Sequence, residues 1–251
     1  MKFRIDNVSR EGTRRGDGVL FSKIGMEEVL EAAKNSDHWN APLGDPPLGK
    51  KRGRGMASGY WFNIGLKSSV NLAVNSDGTV TLVEGSPDIG GTRVAMAMHV
   101  AEVLGIGAHD VRPSVVDTEL VGYTDVTGGS RTTYATGYAC WIAANQLVDE
   151  LKKRVGILWD INEEDIDFSD GIFNSKAEPE KTIGFKELAG KLADLGGPAT
   201  SIGNVDLESA GDGFGLHIVD IDIDTETGKT DVVRYTAIQD VGTAIHPSYV
   251  E

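Results

Sequence analysis

Cysteine is nearly absent from this chain: of 251 residues, only Cys140 is one. That excludes a disulfide framework and a protein-built zinc or iron–sulfur cysteine site. A lone thiol inside an apolar-periodic segment reads as a buried structural residue. Positive charge is scarce too. Lys and Arg number 24 against 38 Asp and Glu, for a formal net charge of −14. A nucleic-acid surface, which needs clustered cations facing phosphate, is therefore not expected. No apolar run approaches the length of about 18 residues that a membrane span requires. The N-terminal MKFRIDNVSR has basic residues but not the apolar stretch of a signal peptide. No membrane span is expected, and cytoplasm is the default location. Named phosphate motifs are missing as well. There is no G-x-x-x-x-G-K-[ST], and no G-x-G-x-x-G follows a strand, which removes the main support for nucleotide-hydrolase and dinucleotide readings.

What is present is glycine at two helix entrances and enough apolar residue, 40%, to bury a real core. The central stretch, residues 125–144, reads DVTGGSRTTYATGYACWIAA. Gly128, Gly129, Ser130 and Arg131 stand at the mouth of a long apolar-periodic segment. First-turn amides there are unpaired and partly positive, and glycines let a ligand approach, so the four form an anion cradle, with Ser130 as a possible cap. A second entrance of the same kind, Gly85-Ser86-Pro87-Asp88-Ile89-Gly90-Gly91-Thr92, leads into another helix pattern. Two such mouths suggest one shared ligand. Glycines that serve only the turn, by supplying positive φ, are the competing reading.

The first forty residues read as a short extended piece, a loop and a helix carrying Ile24, Val29, Leu30 and Ala33. Residues 41–55, with three prolines and Lys50, Lys51, Arg52 and Arg54, read as a solvated loop. A hairpin follows, with Val70, Leu72 and Val74 alternating, Asp77-Gly78 turning, and Val80 and Leu82 resuming. The next helix shows Val94, Ala97, Met98, Ala101 and Leu104 on one face and ends at Gly105; His99 lies off that face. Residues 111–118 read as a strand, with Pro113 pushing it to a sheet edge. The long helix from Thr132 carries Cys140, Ala144, Leu147, Leu151, Val155 and Leu158, with Gly156 as an earlier possible stop. Residues 162–167 read as a solvated connection. Phe185, Leu188, Ala189 and Leu192 mark a short helix that Gly196-Gly197-Pro198 ends, and residues 201–213 read as a surface loop. Residues 216–238 form a second hairpin. Its Asp220, Asp222 and Asp224 resemble a calcium loop, but Thr225 and Asp231 stand where that loop needs Gly and Glu. Alternation with Val219, Ile221 and Ile223 instead predicts a strand whose aspartates line a wet face. Asp240 and His246 read as a polar turn pair rather than a catalytic one.

The fold expected is α+β: mixed β-sheets built from hairpins, with packed helices. Three parts are expected: residues 1–55, an N-terminal helix and basic Gly/Pro loop; residues 56–160, a ligand-binding lobe; and residues 161–251, a second lobe truncated at its C-terminal end.

GRGMASGYWFN from Gly53, DGTV from Asp77, GSPDIGGTR from Gly85, AEVLGI from Ala101, Asp117-Thr118, TGGSRTTYATG from Thr127 and HIVDIDIDTETGKTDVVRYTAIQDVGTAIHPSYVE from His217 follow one another in this order. Together they resemble the molybdopterin-binding subunit of the xanthine dehydrogenase and aldehyde oxidase family. The resemblance implies a molybdenum-molybdopterin cofactor, plain or as its cytosine dinucleotide. Ile89, Gly90 and Gly91, with Thr127, Gly128, Gly129, Ser130, Arg131 and Thr132, match the segments that hold it. The family's pterin dithiolene holds the metal, so no residue here is implied as a metal ligand. The implied reaction is oxidative hydroxylation of an aldehyde or N-heterocycle, with water as the oxygen source. FAD and [2Fe-2S] clusters are expected on partner subunits.

Departures from the pattern matter. Many family members read Gly-Gln-Gly where this chain has Ile89-Gly90-Gly91-Thr92, with one residue fewer and no glutamine. The upstream Gly-Gly-Phe-Gly-Gly-type segment and the downstream base glutamate have no match, so no catalytic residue is identified. The expectation is an internal or truncated piece of a larger subunit, with Met1 an artificial start, inactive alone. It would work with the remainder of the molybdenum subunit, iron–sulfur and flavin subunits and a small-molecule substrate. A non-catalytic assembly fragment and a small-anion-binding module are the alternatives.

Overall fold

The computed structural model describes residues 1–115, 117, 119–209 and 211–250. The chain forms two compact units, one from residues 1–63 and 210–251, the other from residues 64–209. The boundary expected at residue 160 coincides with neither join. The long central helix and the strands after it share one core, in which Leu151 and Val155 meet Ile166 and Phe173.

The first unit opens with α1 (Lys2–Asp6), where a short extended piece was expected. The i,i+4 pair from Lys2 Nζ to Asp6 Oδ2, 2.6 Å, supports the helix. α2 (Met26–Asn35) follows the expected pattern, with Glu27 and Glu28 in the first turn and Lys34 in the last. It buries Val29, Leu30 and Ala33 against Leu216 and Ile218. Ser36 Oγ accepts from Trp39 N to cap α3 (Asp37–Asn40). Next comes a strand, β1 (Lys50–Trp61), where a solvated loop was expected. Lys50, Arg52 and Arg54 alternate, so in a strand they share one face.

The second unit begins with β2 (Leu66–Val74) and β3 (Val80–Glu84), the expected hairpin, with Val70, Leu72, Val80 and Leu82 fully buried. α4 (Thr92–Leu104) carries the chain to β4 (Val111–Val115), which pairs parallel to β3 at the sheet edge. The expected strand over 111–118 continues onto Val116 and Thr118, which lie outside the described residues. α4 buries Met96, Ala97, Val100, Ala101 and Leu104, while Val94 is exposed. The buried face is thus rotated from the expected one. Gly105 ends α4 in the left-handed conformation, φ 61°.

A π-helical turn (Thr132–Thr136) runs into α5 (Gly137–Trp159), uninterrupted at Gly156. Cys140, Ala144, Leu147, Leu151 and Val155 are buried, as the spacing predicts, whereas Leu158, expected on the same face, is exposed at the helix end. β5 (Ile166–Ser169), β6 (Ile172–Ser175) and β7 (Thr182–Gly184) make a small antiparallel sheet over stretches that include the expected solvated connection. Its anchors are Ile166, Phe173 and Ile183, each the one buried apolar residue in a strand of three or four residues, too short to show a pattern. α6 (Phe185–Lys191) matches the expected short helix.

β8 (Thr200–Leu207) replaces an expected surface loop and completes the sheet in the order β4-β3-β2-β8. Its buried positions, Ser201 and Gly203, are small because α5 presses against them. A Cβ at Gly203 would lie 1.9 Å from Ala139 O, and Ser201 Oγ donates to Ala143 O at 2.7 Å.

The chain then returns to the first unit with β9 (Gly213–Asp224), β10 (Thr230–Asp240) and α7 (Pro247–Val250), giving a sheet β1-β9-β10. The hairpin is as expected, but its faces are inverted. Asp220 and Asp222 share the covered face with Leu216 and Ile218 and are themselves buried, while Ile223 is exposed. β1 explains this. Arg52 donates to both carboxylate oxygens of Asp222 at 2.7 and 2.8 Å, and Arg54 does the same to Asp220. Lys50 pairs with Asp231. Buried carboxylates are tolerable when a guanidinium fork satisfies them, and Asp220 and Asp222 are engaged in those pairs rather than turned to a calcium loop. His38, also buried, lies between Thr236 Oγ1 (Nδ1, 2.8 Å) and Asp220 Oδ2 (Nε2, 3.2 Å).

Among the described residues no helix is long and apolar enough to cross a membrane.

Candidate functional site

Both glycine-rich mouths lie in the second unit. The first leaves β3 at Glu84 and reaches α4 through Gly90 (φ 62°) and Gly91 (φ 79°), left-handed positions that favour glycine. A Cβ at either would meet nothing within 4 Å, so both border open space, as does the exposed Ile89. The turn is internally braced. Asp88 Oδ1 accepts from Arg93 N at 3.1 Å, and Thr92 Oγ1 accepts from Ile89 N at 3.3 Å. Asp88 therefore already places one negative charge at the start of α4. Arg93 offsets it, with Nε 3.9 Å from Asp88 and no hydrogen-bond partner for that nitrogen. Sequence reasoning passed over Arg93, although it stands two residues beyond the glycine pair.

The second mouth is tied to β2 by Asp125, whose N donates to Lys67 O and whose Oδ2 accepts from Lys67 N. Thr127 Oγ1 is shielded from solvent without a hydrogen-bond partner. Gly128 borders open space, whereas Gly129 (φ 61°) faces inward, where a Cβ would lie 2.8 Å from Ile64. Ser130 is left-handed, φ 57°, and no side-chain cap closes the helix start. Thr132 is buried.

The cradle expected from Arg131 is corrected by its burial. It is 0% exposed and donates to Gly65 O (Nε, 2.6 Å), Asp125 O (Nη1, 3.1 Å), Lys67 O and Ser68 Oγ (Nη2, 2.6 Å to the latter). Burial with oxygens that carry no formal charge lowers its pKa, partly countered by Asp125. Arg131 is thus an internal clamp on the turn, pulled in because β2 offers several acceptors at one point.

A buried polar chain joins the two mouths. From Arg131, Ser68 Oγ reaches Thr136 Oγ1 at 2.9 Å, which reaches Ser86 Oγ at 3.1 Å, and Ser86 N donates to Glu84 Oε2 at 2.9 Å. Thr136 belongs to the π-helical turn, an arrangement frequent at functional sites. Glu84 is fully buried, its Oε1 has no partner, and desolvation pushes its pKa up. Only the interruption of the β3 alternation by a charged residue signalled it in the sequence. Burial likewise pushes the Cys140 thiol well up, consistent with a structural residue. His99 Nδ1 contacts Ala95 O at 2.6 Å, and its ring packs on Gly137.

In the first unit, Asp240 accepts from Gly25 N and Gly242 N, and His246 contacts Ser248. Asp240 thus braces its own turn and the start of α2, while His246 serves its own turn. Among the described residues no group of His, Cys, Asp and Glu is placed to hold a metal ion.

Comparison with known proteins gives the arrangement a family. Residues 25–251 match the model of the molybdopterin cofactor-binding domain. The large chain of carbon monoxide dehydrogenase from Hydrogenophaga pseudoflava is 27% identical over 196 residues, covering 76% of this chain and 24% of that protein. The aldehyde oxidoreductase molybdenum-binding subunit PaoC of Escherichia coli K12 is 26% identical over 239 residues, 90% of this chain and 31% of that one. The chain thus spans about a quarter to a third of the length of these relatives. Quinoline 2-oxidoreductase from Pseudomonas putida 86 shares the fold, with a TM-score of 0.76 at 22% identity over 99% of this chain and 35% of that one. From the family match over nearly its whole length, the chain belongs to the molybdopterin cofactor-binding domain family.

Proposed function

We propose that the two mouths hold a molybdopterin cofactor between them, in a protein that works as the molybdenum subunit of a hydroxylase acting on an aldehyde or N-heterocycle with water as the oxygen source. The observation that carries this reading is the pairing of two open glycine turns by one buried hydroxyl chain. The residues fit such a group. Gly90, Gly91 and Gly128 leave room where a side chain would intrude, Thr127 Oγ1 and Arg93 Nε lack partners, and backbone amides at helix starts favour anionic oxygens. Ile89, Ser130 and Thr132 belong to the same segments; Gly129 and Arg131 fix the turn from inside. When bound, the cofactor supplies two-electron redox and oxygen-transfer chemistry.

The chain's own part is positioning. The Arg131 clamp and the Ser68-Thr136-Ser86 chain fix the distance between the mouths, so that a ligand meets preformed donors. In this reading the cofactor is molybdopterin or its cytosine dinucleotide, the remainder of the subunit supplies the catalytic base, and electrons leave to [2Fe-2S] and flavin groups on partner subunits in the cytoplasm. Molybdenum and pterin analysis of the purified full-length subunit tests it. Stoichiometric amounts of both are expected. Folded subunit with neither would favour an anion-binding or assembly role instead.

A further inference from the structure

The first unit contains a cavity of about 420 Å³ that the cofactor reading does not use. Its wall includes Arg4, Arg14 and Arg15 and, among the described residues, no Asp or Glu. On a chain with net charge −14 that selection is unusual. Arg15 is already neutralised, since its guanidinium pairs with Asp17 and Asp212. Arg4 and Arg14 are not. Arg4 Nη1 donates to Ser58 Oγ at 2.9 Å and Arg14 Nη1 to Gly18 O at 2.6 Å, and among the described residues neither has a carboxylate in salt-bridge reach. Of the other arginines, only Arg234 shares that condition outside the core; Arg10, Arg52, Arg54, Arg93, Arg112 and Arg154 all have carboxylate partners.

The same wall carries aromatic rings among small, polar and aliphatic residues. Phe21, Tyr60 and Phe214 form one cluster, with centroids 5.7 to 6.0 Å apart, and Tyr60 remains 48% exposed. Arg15 lies 5.9 Å from the Phe21 and Tyr60 ring centroids, which braces the rings from the charged side. A guanidinium presents several donors in a planar fork suited to a carboxylate, and an aromatic ring offers a flat apolar face. We propose that this cavity binds a small aromatic carboxylate, its acid group held by Arg4 and Arg14 and its ring laid against Tyr60.

The test is a titration of the intact subunit, by calorimetry or ligand-observed NMR, with 2-naphthoate, 2-naphthylmethanol and inorganic phosphate. Saturable, salt-sensitive naphthoate binding is expected, with the neutral alcohol and the ring-free anion each weaker by roughly tenfold or more, as loss of a charged hydrogen bond or of ring burial implies. Arg4→Gln and Arg14→Gln should each weaken naphthoate by a similar factor, and Arg234→Gln should not. The proposal is overturned if naphthoate does not saturate, if the alcohol or phosphate binds equally well, or if binding survives in both cavity variants. The wild-type ligand series decides the matter alone should either variant fail to fold.

Discussion

Gly128 and Gly129 are neighbours with opposite surroundings. Gly129 has φ 61° and would drive a Cβ to 2.8 Å from Ile64, whereas Gly128 borders open space. Gly129→Val should therefore destabilise the subunit by at least about 1 kcal/mol from backbone strain, plus the cost of overpacking. Gly128→Val should melt near wild type yet retain less molybdenum and pterin. Normal cofactor content in folded Gly128→Val would remove that turn from the site. Glu84 offers a second residue-level test. Desolvation holds its folded pKa above the unfolded value, so the unfolded chain releases this proton first as pH rises. The group's contribution is fully present below the ordinary glutamate range, about pH 4, and declines as pH climbs toward the folded pKa. Glu84→Gln should flatten that decline. Melting temperatures followed from about pH 5 to 8 would show parallel wild-type and variant curves if Glu84 were not involved.

At the scale of elements, the β1–β9 ladder behaves in the opposite sense. Arg54 and Arg52, hydrogen-bonded to Asp220 and Asp222, hold those carboxyls below their usual range. Their stabilisation is present above the unfolded carboxylate pKa and is lost as pH falls through the lower folded value. Asp222→Asn should thus lower the melting temperature at neutral pH and lessen the loss on acidification. An unchanged neutral melting temperature would show the ladder to be dispensable. Gly203 carries a different constraint. Because a Cβ there would stand 1.9 Å from Ala139 O, Gly203→Val should separate α5 from β8 and abolish cooperative melting, or cost at least about 1–3 kcal/mol. A wild-type melt would refute that close approach.

These two elements also show what sequence can and cannot reveal. The β2–β3 hairpin, α2, α5 and α6 announce themselves because each buries one regularly spaced apolar face, whereas β9–β10 shows its strands by alternation but not which face is covered. β1 and β8 do not. β1 spends its alternating positions on arginines whose partners lie far along the chain, and β8 on Ser201 and Gly203, chosen for closeness to a helix rather than for burial of area. The glycine mouths are legible for the same local reason as the hairpins. The inward turn of Arg131 is not, because a side chain's direction at a helix start depends on which strand supplies acceptors beneath it, and Glu84 is buried at a strand end by elements distant in sequence.

The whole molecule is organised around an interruption. All the buried residues of the larger core fall between Val70 and Ala199, and Leu66 pairs with Leu207 where the segment enters and leaves. A polypeptide of residues 64–209 should accordingly melt cooperatively alone, as followed by circular dichroism; a non-cooperative melt would mean that it needs the flanking segments. The other unit has no such independence, because its sheet joins β1 to β9. During synthesis, β1 emerges and ends at Trp61, while the strand it must pair with starts only at Gly213. Until the ribosome has delivered that strand, Arg52 and Arg54 have no Asp222 and Asp220 to meet, and the growing chain carries an unfinished edge while its middle folds. Like charges on Lys50, Arg52 and Arg54 along that edge disfavour its pairing with the same edge of another copy.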